Sequence, residues 1–247
     1  MKTLRIAMWS GPRNISTAMM RAWENRGDSA VVDEPLYAHY LAYTALDHPG
    51  REEIIAAGEA DWRKVAARLV GPVPQGKPIW YQKHMTHHLL PHVGRDWLRE
   101  LRHVFLIRDP REVLNSYIRT RPRVTAEDIG VLQQLDIFEH VTQQCGRTPP
   151  VIDAAEFLKA PERQLRALCA ELETPFTSRM LSWPPGPRAS DGVWAPYWYD
   201  SVRRSTGFVP VTGPVTPPDL DPALEPLLEE CMPYYEKLRK NILNVRG

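Results

Sequence analysis

Four clusters of residues in this 247-residue chain carry side chains suited to chemistry on an anionic group. The first is Pro12-Arg13-Asn14-Ile15-Ser16-Thr17, which follows Ser10-Gly11 at the end of an apolar run and opens a segment of helix formers reaching Trp23. The first amides of a helix lack partners within it, and the helix dipole adds partial positive charge there. Arg13 adds a full charge and a forked donor set, while Asn14, Ser16 and Thr17 add short polar groups. Such a corner accepts a phosphate or sulfate, although an ordinary turn into a helix capped by Asn14 or Ser16 has the same composition. The second cluster, Arg108-Asp109-Pro110 with Ser116 on the first turns of the following helix, repeats the pattern after another apolar run. An Arg108–Asp109 surface pair is the plainer reading of it. The third, Lys83-His84-Met85-Thr86-His87-His88, holds three of the eight histidines. With no Cys or acid beside them at a ligand spacing, they suit a general base better than a metal. The fourth is Asp33-Glu34, either two acids at the mouth of an open sheet or an N-cap ahead of Pro35.

Alternating elements must position these clusters. Short strands are predicted at 4–9, 30–32, 78–82, 102–107 and 150–153, from apolar or β-branched runs closed by turn residues. Helices are predicted at 16–23, 36–45, 51–70, 111–118, 130–145 and 224–238, with two more over 154–172 parted near Pro161. The stretch 190–208 is aromatic, basic and glycine-containing. It reads as a lid whose Trp194, Trp198 or Tyr199 stacks on a base, or as a packed aromatic cover without ligand contact. This order predicts an α/β fold: three layers, helices on both faces of a mostly parallel sheet, and both arginine-bearing turns at one sheet edge.

The charge balance of +1 leaves no broad basic surface for nucleic acid. Cys145, Cys169 and Cys231 are widely spaced and odd in number, which fits a reducing compartment. No leader-like start and no apolar run of membrane-spanning length are visible, so a cytoplasmic location without membrane contact is expected. The length suits one domain over 1–247, with 187–247 as a lid region plus a final helix, monomeric or homodimeric.

Taken together, the clusters resemble the sulfotransferases that use 3′-phosphoadenosine 5′-phosphosulfate (PAPS). The family's PKSGTTW loop is similar to Pro12–Thr17, its KTHLPxxLLP segment to Lys83–Pro91, and its RNPxDxxxS segment to Arg108–Ser116. Residues 153–186 are also similar to bacterial members. The resemblance implies a fold like that of the P-loop nucleoside triphosphate hydrolases. It implies that Pro12, Arg13, Asn14, Ile15, Ser16 and Thr17 hold the 5′-phosphosulfate, and that Arg108 and Ser116 hold the 3′-phosphate. The family's late RKGxxG element has no clear match, and Arg203-Arg204-Ser205-Thr206-Gly207 is the stretch that would take its place at the 3′-phosphate. Three positions depart from the family: Arg13 stands where a lysine is usual, Ile15 replaces a glycine, and Met85 falls opposite the family's histidine base.

The implied reaction moves a sulfuryl group from PAPS to a hydroxyl or amine of a small molecule, leaving adenosine 3′,5′-bisphosphate, without a metal. Arg13 and Lys83 would stabilise the transferring group. The base is His84 or its neighbours His87 and His88, with Asp33 and Glu34 as carboxylate substitutes. Asp33, Glu34, Tyr37, His39, Tyr40, His87 and His88 are the candidate acceptor-binding residues. A small-molecule kinase on the same scaffold, or a nucleotide-binding protein that has lost the chemistry, are the competing readings.

Overall fold

The computed structural model describes residues 3–119, 123–210 and 219–245. Of the expected lid and final-helix region, 211–218 and 246–247 lie outside the described residues. Five strands form one sheet: β1 Leu4–Ser10, β2 Ser29–Asp33, β3 Ile79–Met85, β4 Arg102–Ile107 and β5 Val151–Asp153. Their order is β2-β3-β1-β4-β5 and every pairing is parallel. Parallel strands need crossovers, and helices supply them on both faces. In chain order the α-helices are α1 Ser16–Asn25, α2 Tyr37–Thr44, α3 Arg51–Ala57, α4 Trp62–Val70, α5 Pro110–Tyr117 and α6 Ala126–Ile129. They continue with α7 Val131–Cys145, α8 Ala154–Lys159, α9 Pro161–Glu171, α10 Ala195–Trp198, α11 Asp200–Arg204 and α12 Glu225–Arg239.

Strand alternation sorts the core into two layers. Ile6 and Met8 of β1, with Tyr81 of β3, pack against Met19, Met20 and Trp23 of α1 and Leu165 and Leu168 of α9. Ala7 and Trp9 point the other way, toward Val65 and Leu69 of α4 and the helices α5, α7 and α12. A smaller apolar cluster joins Tyr37, Tyr40 and Leu41 of α2 to Trp194, Ala195 and Tyr199.

Two predicted elements differ. The single helix expected over 51–70 is two, because Gly58 is extended and a Cβ there would meet the Cβ of Ala38 at 2.4 Å. Asp61 then starts α4 by accepting from the Arg63 amide. The third strand, expected to stop at Gln82, runs on to Met85, all seven residues buried. That extension decides where the third cluster points.

Candidate active site

A cavity of about 550 Å³ opens at the carboxyl ends of the strands, beside the α1 layer. One end is built for an anion. The turn after β1 is tight: a Cβ on Gly11 would meet the Ile129 carbonyl oxygen at 2.6 Å. Arg13 then takes a left-handed backbone (φ 55°), a conformation uncommon outside glycine and one that gathers at functional sites. Ile15 is ordinary (φ −82°), so the glycine that the family carries there is not needed in this loop. Neither Asn14 nor Ser16 caps α1. Asn14 bonds instead to its neighbour's amide and, through Nδ2, to the Leu106 carbonyl at 3.1 Å. Helix α1 therefore starts with no side-chain cap and no acid in its first turn, its amide end facing the cavity.

Two arginines meet at this end. Arg108 Nη1 donates to the Arg13 carbonyl oxygen at 2.6 Å and its Nε to Glu112 at 2.7 Å. Arg13 Nε donates to Ser116 Oγ at 2.9 Å. Asp109 is occupied differently, capping α5 through the Arg111 amide. Among the described residues no carboxylate pairs with Arg13, and burial together with the Arg108 charge lowers its pKa.

The other end holds a buried ionic cluster. Asp33 and Lys83 are register partners on adjacent strands, so their side chains share a face. Glu34 sits one residue beyond β2 with a left-handed backbone (φ 39°), which turns its carboxylate toward the same ammonium. Lys83 Nζ donates to Asp33 Oδ1 at 2.9 Å, Glu34 Oε1 at 2.7 Å and Tyr199 Oη at 2.6 Å. An ammonium has three N–H donors, and all are used. The flanking carboxylates and phenol outweigh burial and hold the Lys83 pKa well above its ordinary value. Burial raises the Glu34 carboxyl and Asp33 raises it further, against the pull of Lys83. Glu34 Oε2 lies 3.9 Å from His88 Nδ1, and both residues line the cavity. Burial, with His87, His48 and Lys83 nearby, keeps the His88 imidazole well below its usual pKa, hence neutral.

The cavity brings together Pro12 to Thr17, Glu34, Tyr37, Lys83, His87, His88, Arg108, Ser116, Ser205 and Gly207 from the sequence reading. It does not include His84. Alternation along β3 sends Lys83 and Met85 toward the cavity and His84 to the opposite layer, stacked on Trp9 at 4.4 Å and bonded to Gln82. There it is 1% exposed, with its pKa held down to about 3 by burial and by His103. Asp33 sits behind Glu34 and is spent on Lys83, Tyr199 and the Gly192 amide. His39 faces away, bonded to Ala60 and His92, and Tyr40 packs on His87 and His88 without lining the cavity. Arg203, Arg204 and Thr206 also stay outside its lining. Their segment is tied to 182–186 through the Arg203 and Thr206 carbonyls.

Of the three aromatic residues of 190–208 expected either to stack on a base or to form a packed cover, Trp198 and Tyr199 line the cavity and Trp194 does not; the Tyr199 hydroxyl enters the ionic cluster and Trp194 Nε1 donates to it at 3.1 Å. His48, Tyr117 and Leu158 also line it, and no local pattern marks them in the sequence. Among the described residues no group of three or more His, Cys, Asp or Glu is arranged to hold a metal, and no helix is long and apolar enough to cross a membrane.

Known proteins share this architecture. The sulfotransferase from Alicyclobacillus acidocaldarius superposes with a TM-score of 0.56 at 13% identity, over 97% of this chain and 96% of the other. The sulfotransferase domain of the Synechococcus PCC 7002 olefin synthase gives 0.52 at 11% identity, with the same two coverages. At such identities the likeness speaks for the fold. In sequence, the branched-chain-amino-acid aminotransferase-like protein 2 of Arabidopsis thaliana is 37% identical over 239 residues, 95% of this chain and 41% of the relative. Its counterpart, protein 1, is 39% identical over 203 residues, 82% of this chain and 36% of the relative. The chain thus spans about two fifths of the length of these curated relatives. Over residues 4–242 it matches the family described as the sulfotransferase domain, and the chain belongs to that family.

Proposed function

We propose that the protein is a PAPS-dependent sulfotransferase acting on a hydroxyl or amine of a small molecule. The observation that carries this reading is the polarity of the cavity. An uncapped helix start with two arginines stands at one end, and a carboxylate of raised proton affinity at the other. The arginine end is short of negative charge, which a donor with phosphates at two points would supply. Arg13 and the amides from Asn14 to Thr17 would hold the 5′-phosphosulfate, and Arg108 with Ser116 the 3′-phosphate.

The acceptor would sit between Glu34, Tyr37, His88 and Trp198. Of the base candidates, His84 does not reach the cavity and Asp33 is saturated, while Glu34, His87 and His88 line it; burial raises the proton affinity of Glu34 and lowers that of His88, so we take Glu34 as the base, with His87 the alternative. Glu34 would take the acceptor's proton as the new S–O or S–N bond forms and the S–O bond to the 5′-phosphate breaks. The bond pair leaves on the bisphosphate, where Arg13 neutralises the growing charge. Lys83 acts from behind Glu34, holding its carboxylate in place rather than lying free for the sulfuryl group. The near-neutral charge and the small-molecule size of the cavity favour a free small acceptor over nucleic acid.

The test is calorimetric titration of adenosine 3′,5′-bisphosphate, with ADP as control, on the wild type and on Arg108→Ala. The expected result is selective binding of the bisphosphate, weakened in the variant by about 10- to 100-fold, the range for one charge-assisted contact. Equal binding of ADP and the bisphosphate would transfer the reading to a kinase.

A further inference from the structure

We infer that Tyr199 is a positioning residue of this site, supplied by the 187–209 segment to fix the Lys83–Glu34 pair from outside the sheet. The inference rests on the sulfotransferase reading and concerns how its base is held. The two strand ends bring Asp33, Glu34 and Lys83 together, but they leave the third Lys83 proton without an acceptor of their own. Tyr199 Oη fills that place at 2.6 Å. The same hydroxyl donates to Asp33 Oδ2 at 2.6 Å, accepts from Trp194 Nε1 at 3.1 Å and lies 3.5 Å from Glu34 Oε1. One phenol oxygen therefore meets every charged member of the cluster, and its bonding capacity is full.

The ring adds to the hold. Its centroid lies 4.9 Å from Lys83 Nζ, within cation–π range. Tyr199 is 4% exposed, and the residues around it are pinned to the sheet and to α1. The Gly192 amide donates to Asp33 Oδ2, Asp191 pairs with the buried Arg21 at 2.6 Å, and Ser190 Oγ donates to Glu24. Glu34 is thus faced by Lys83 from β3, Asp33 from β2, His88 from the turn after β3 and Tyr199 from the C-terminal segment. Only the last of these comes from outside the strands and the turns that follow them.

Without the hydroxyl, the Lys83 ammonium keeps its two carboxylates but loses the acceptor of its third N–H, so its place against Glu34 Oε1 is no longer fixed from the third side. A packing role alone would be kept by phenylalanine, which retains the ring. The experiment compares wild type, Tyr199→Phe and Trp194→Phe in three readouts: adenosine 3′,5′-bisphosphate affinity, turnover of PAPS with water as acceptor across pH, and acetic anhydride labelling of Lys83 followed by mass spectrometry. The expected Tyr199→Phe result is bisphosphate affinity within about twofold of wild type, kcat lowered about tenfold, and the acid limb of the kcat profile moved to higher pH. The limb moves up because Lys83, the main influence favouring the charged form of Glu34, is no longer fixed beside it by the hydroxyl. Labelling of Lys83 rises, and Trp194→Phe changes each readout in the same direction by less. A Tyr199→Phe enzyme with wild-type kcat, pH profile and labelling overturns the inference while leaving the sulfotransferase reading in place. A wild type that neither binds the bisphosphate nor turns over PAPS removes that reading instead, and unchanged labelling of Lys83 in Tyr199→Phe would then still refute the hold on the lysine.

Discussion

Lys83→Met isolates the energetics of the ionic cluster without needing an acceptor. Lys83 is 1% exposed at its side chain and Asp33 2%, with Glu34 at 10%, so solvent screening of the pair is slight. Methionine fills similar volume but leaves two carboxylates buried beside each other with no cation. Breaking one partner of a buried pair costs about 3–5 kcal/mol. For a domain of this size that lowers Tm by roughly 6–20 °C, at about 2–4 °C per kcal/mol. The loss has a direction in pH. In the native cluster Lys83 is the main influence lowering the Glu34 pKa, against burial and Asp33. Removing it raises the folded-state pKa further above the unfolded value. A carboxyl raised in this way favours folding below the unfolded pKa and loses that contribution as pH rises through the folded one. The variant's deficit is therefore largest near pH 7.5 and shrinks by about 1 kcal/mol or more at pH 5, since a tenfold change in proton affinity is worth about 1.4 kcal/mol. Urea unfolding of both proteins at the two pH values measures this, and adding Asp33→Asn to Lys83→Met should return part of the loss. A deficit under about 1 kcal/mol at both pH values, or one that grows toward acid, would refute the reasoning.

Other substitutions separate the cavity from its surroundings. Glu34→Gln should lower PAPS turnover by about 10²- to 10⁴-fold. His84→Asn, measured well below its melting temperature, should stay within about threefold of wild type; a reversed ranking would restore His84 as the base. Asp191→Ala removes the close partner of the buried Arg21 guanidinium, leaving it only Glu24 at 3.6 Å, and should cost about 3–5 kcal/mol in urea unfolding. A loss below about 1 kcal/mol would mean that Glu24 alone is enough to hold the Arg21 charge.

The sheet was legible in the sequence because its strands are short apolar runs closed by turns, and the two arginine-bearing turns fell where parallel topology puts them. The meeting of Arg13, Arg108 and Ser116 was also legible, since each lies in a local strand-turn-helix unit. The error at His84 arose because Lys83 and His84 end the apolar run and look like a loop. They are strand residues whose burial is made acceptable by groups far along the chain, Asp33 and Tyr199 for Lys83 and Trp9 for His84, which also bonds to Gln82 two residues back. Once the strand reaches Met85, alternation alone settles which side chains face the cavity. Gly58 is similar: the 51–70 segment breaks there on an extended glycine, and the reason no larger residue fits, the closeness of Ala38, lies in another helix. Arg203 and Arg204 enter through the resemblance to the family's RKGxxG, and it is the backbone pairing of their segment with 182–186 that keeps them out of the cavity lining.

The distances in sequence that close the cavity also set an order in time. The hydrogen bonds among Arg13, Arg108, Glu112 and Ser116 need nothing beyond Ser116, whose bond to Arg13 spans 103 residues. The carboxylate end waits for Tyr199, 116 residues after Lys83 and 166 after Asp33. During synthesis, which proceeds from the N-terminus, the residues that gather an anion emerge well before the residue that completes the opposite end. In refolding, the long loop that brings Tyr199 home is an entropic cost met late, after the central strands have paired. A chain interrupted between these two points would hold a nearly finished anion corner beside two buried acids and a lysine still lacking its third partner.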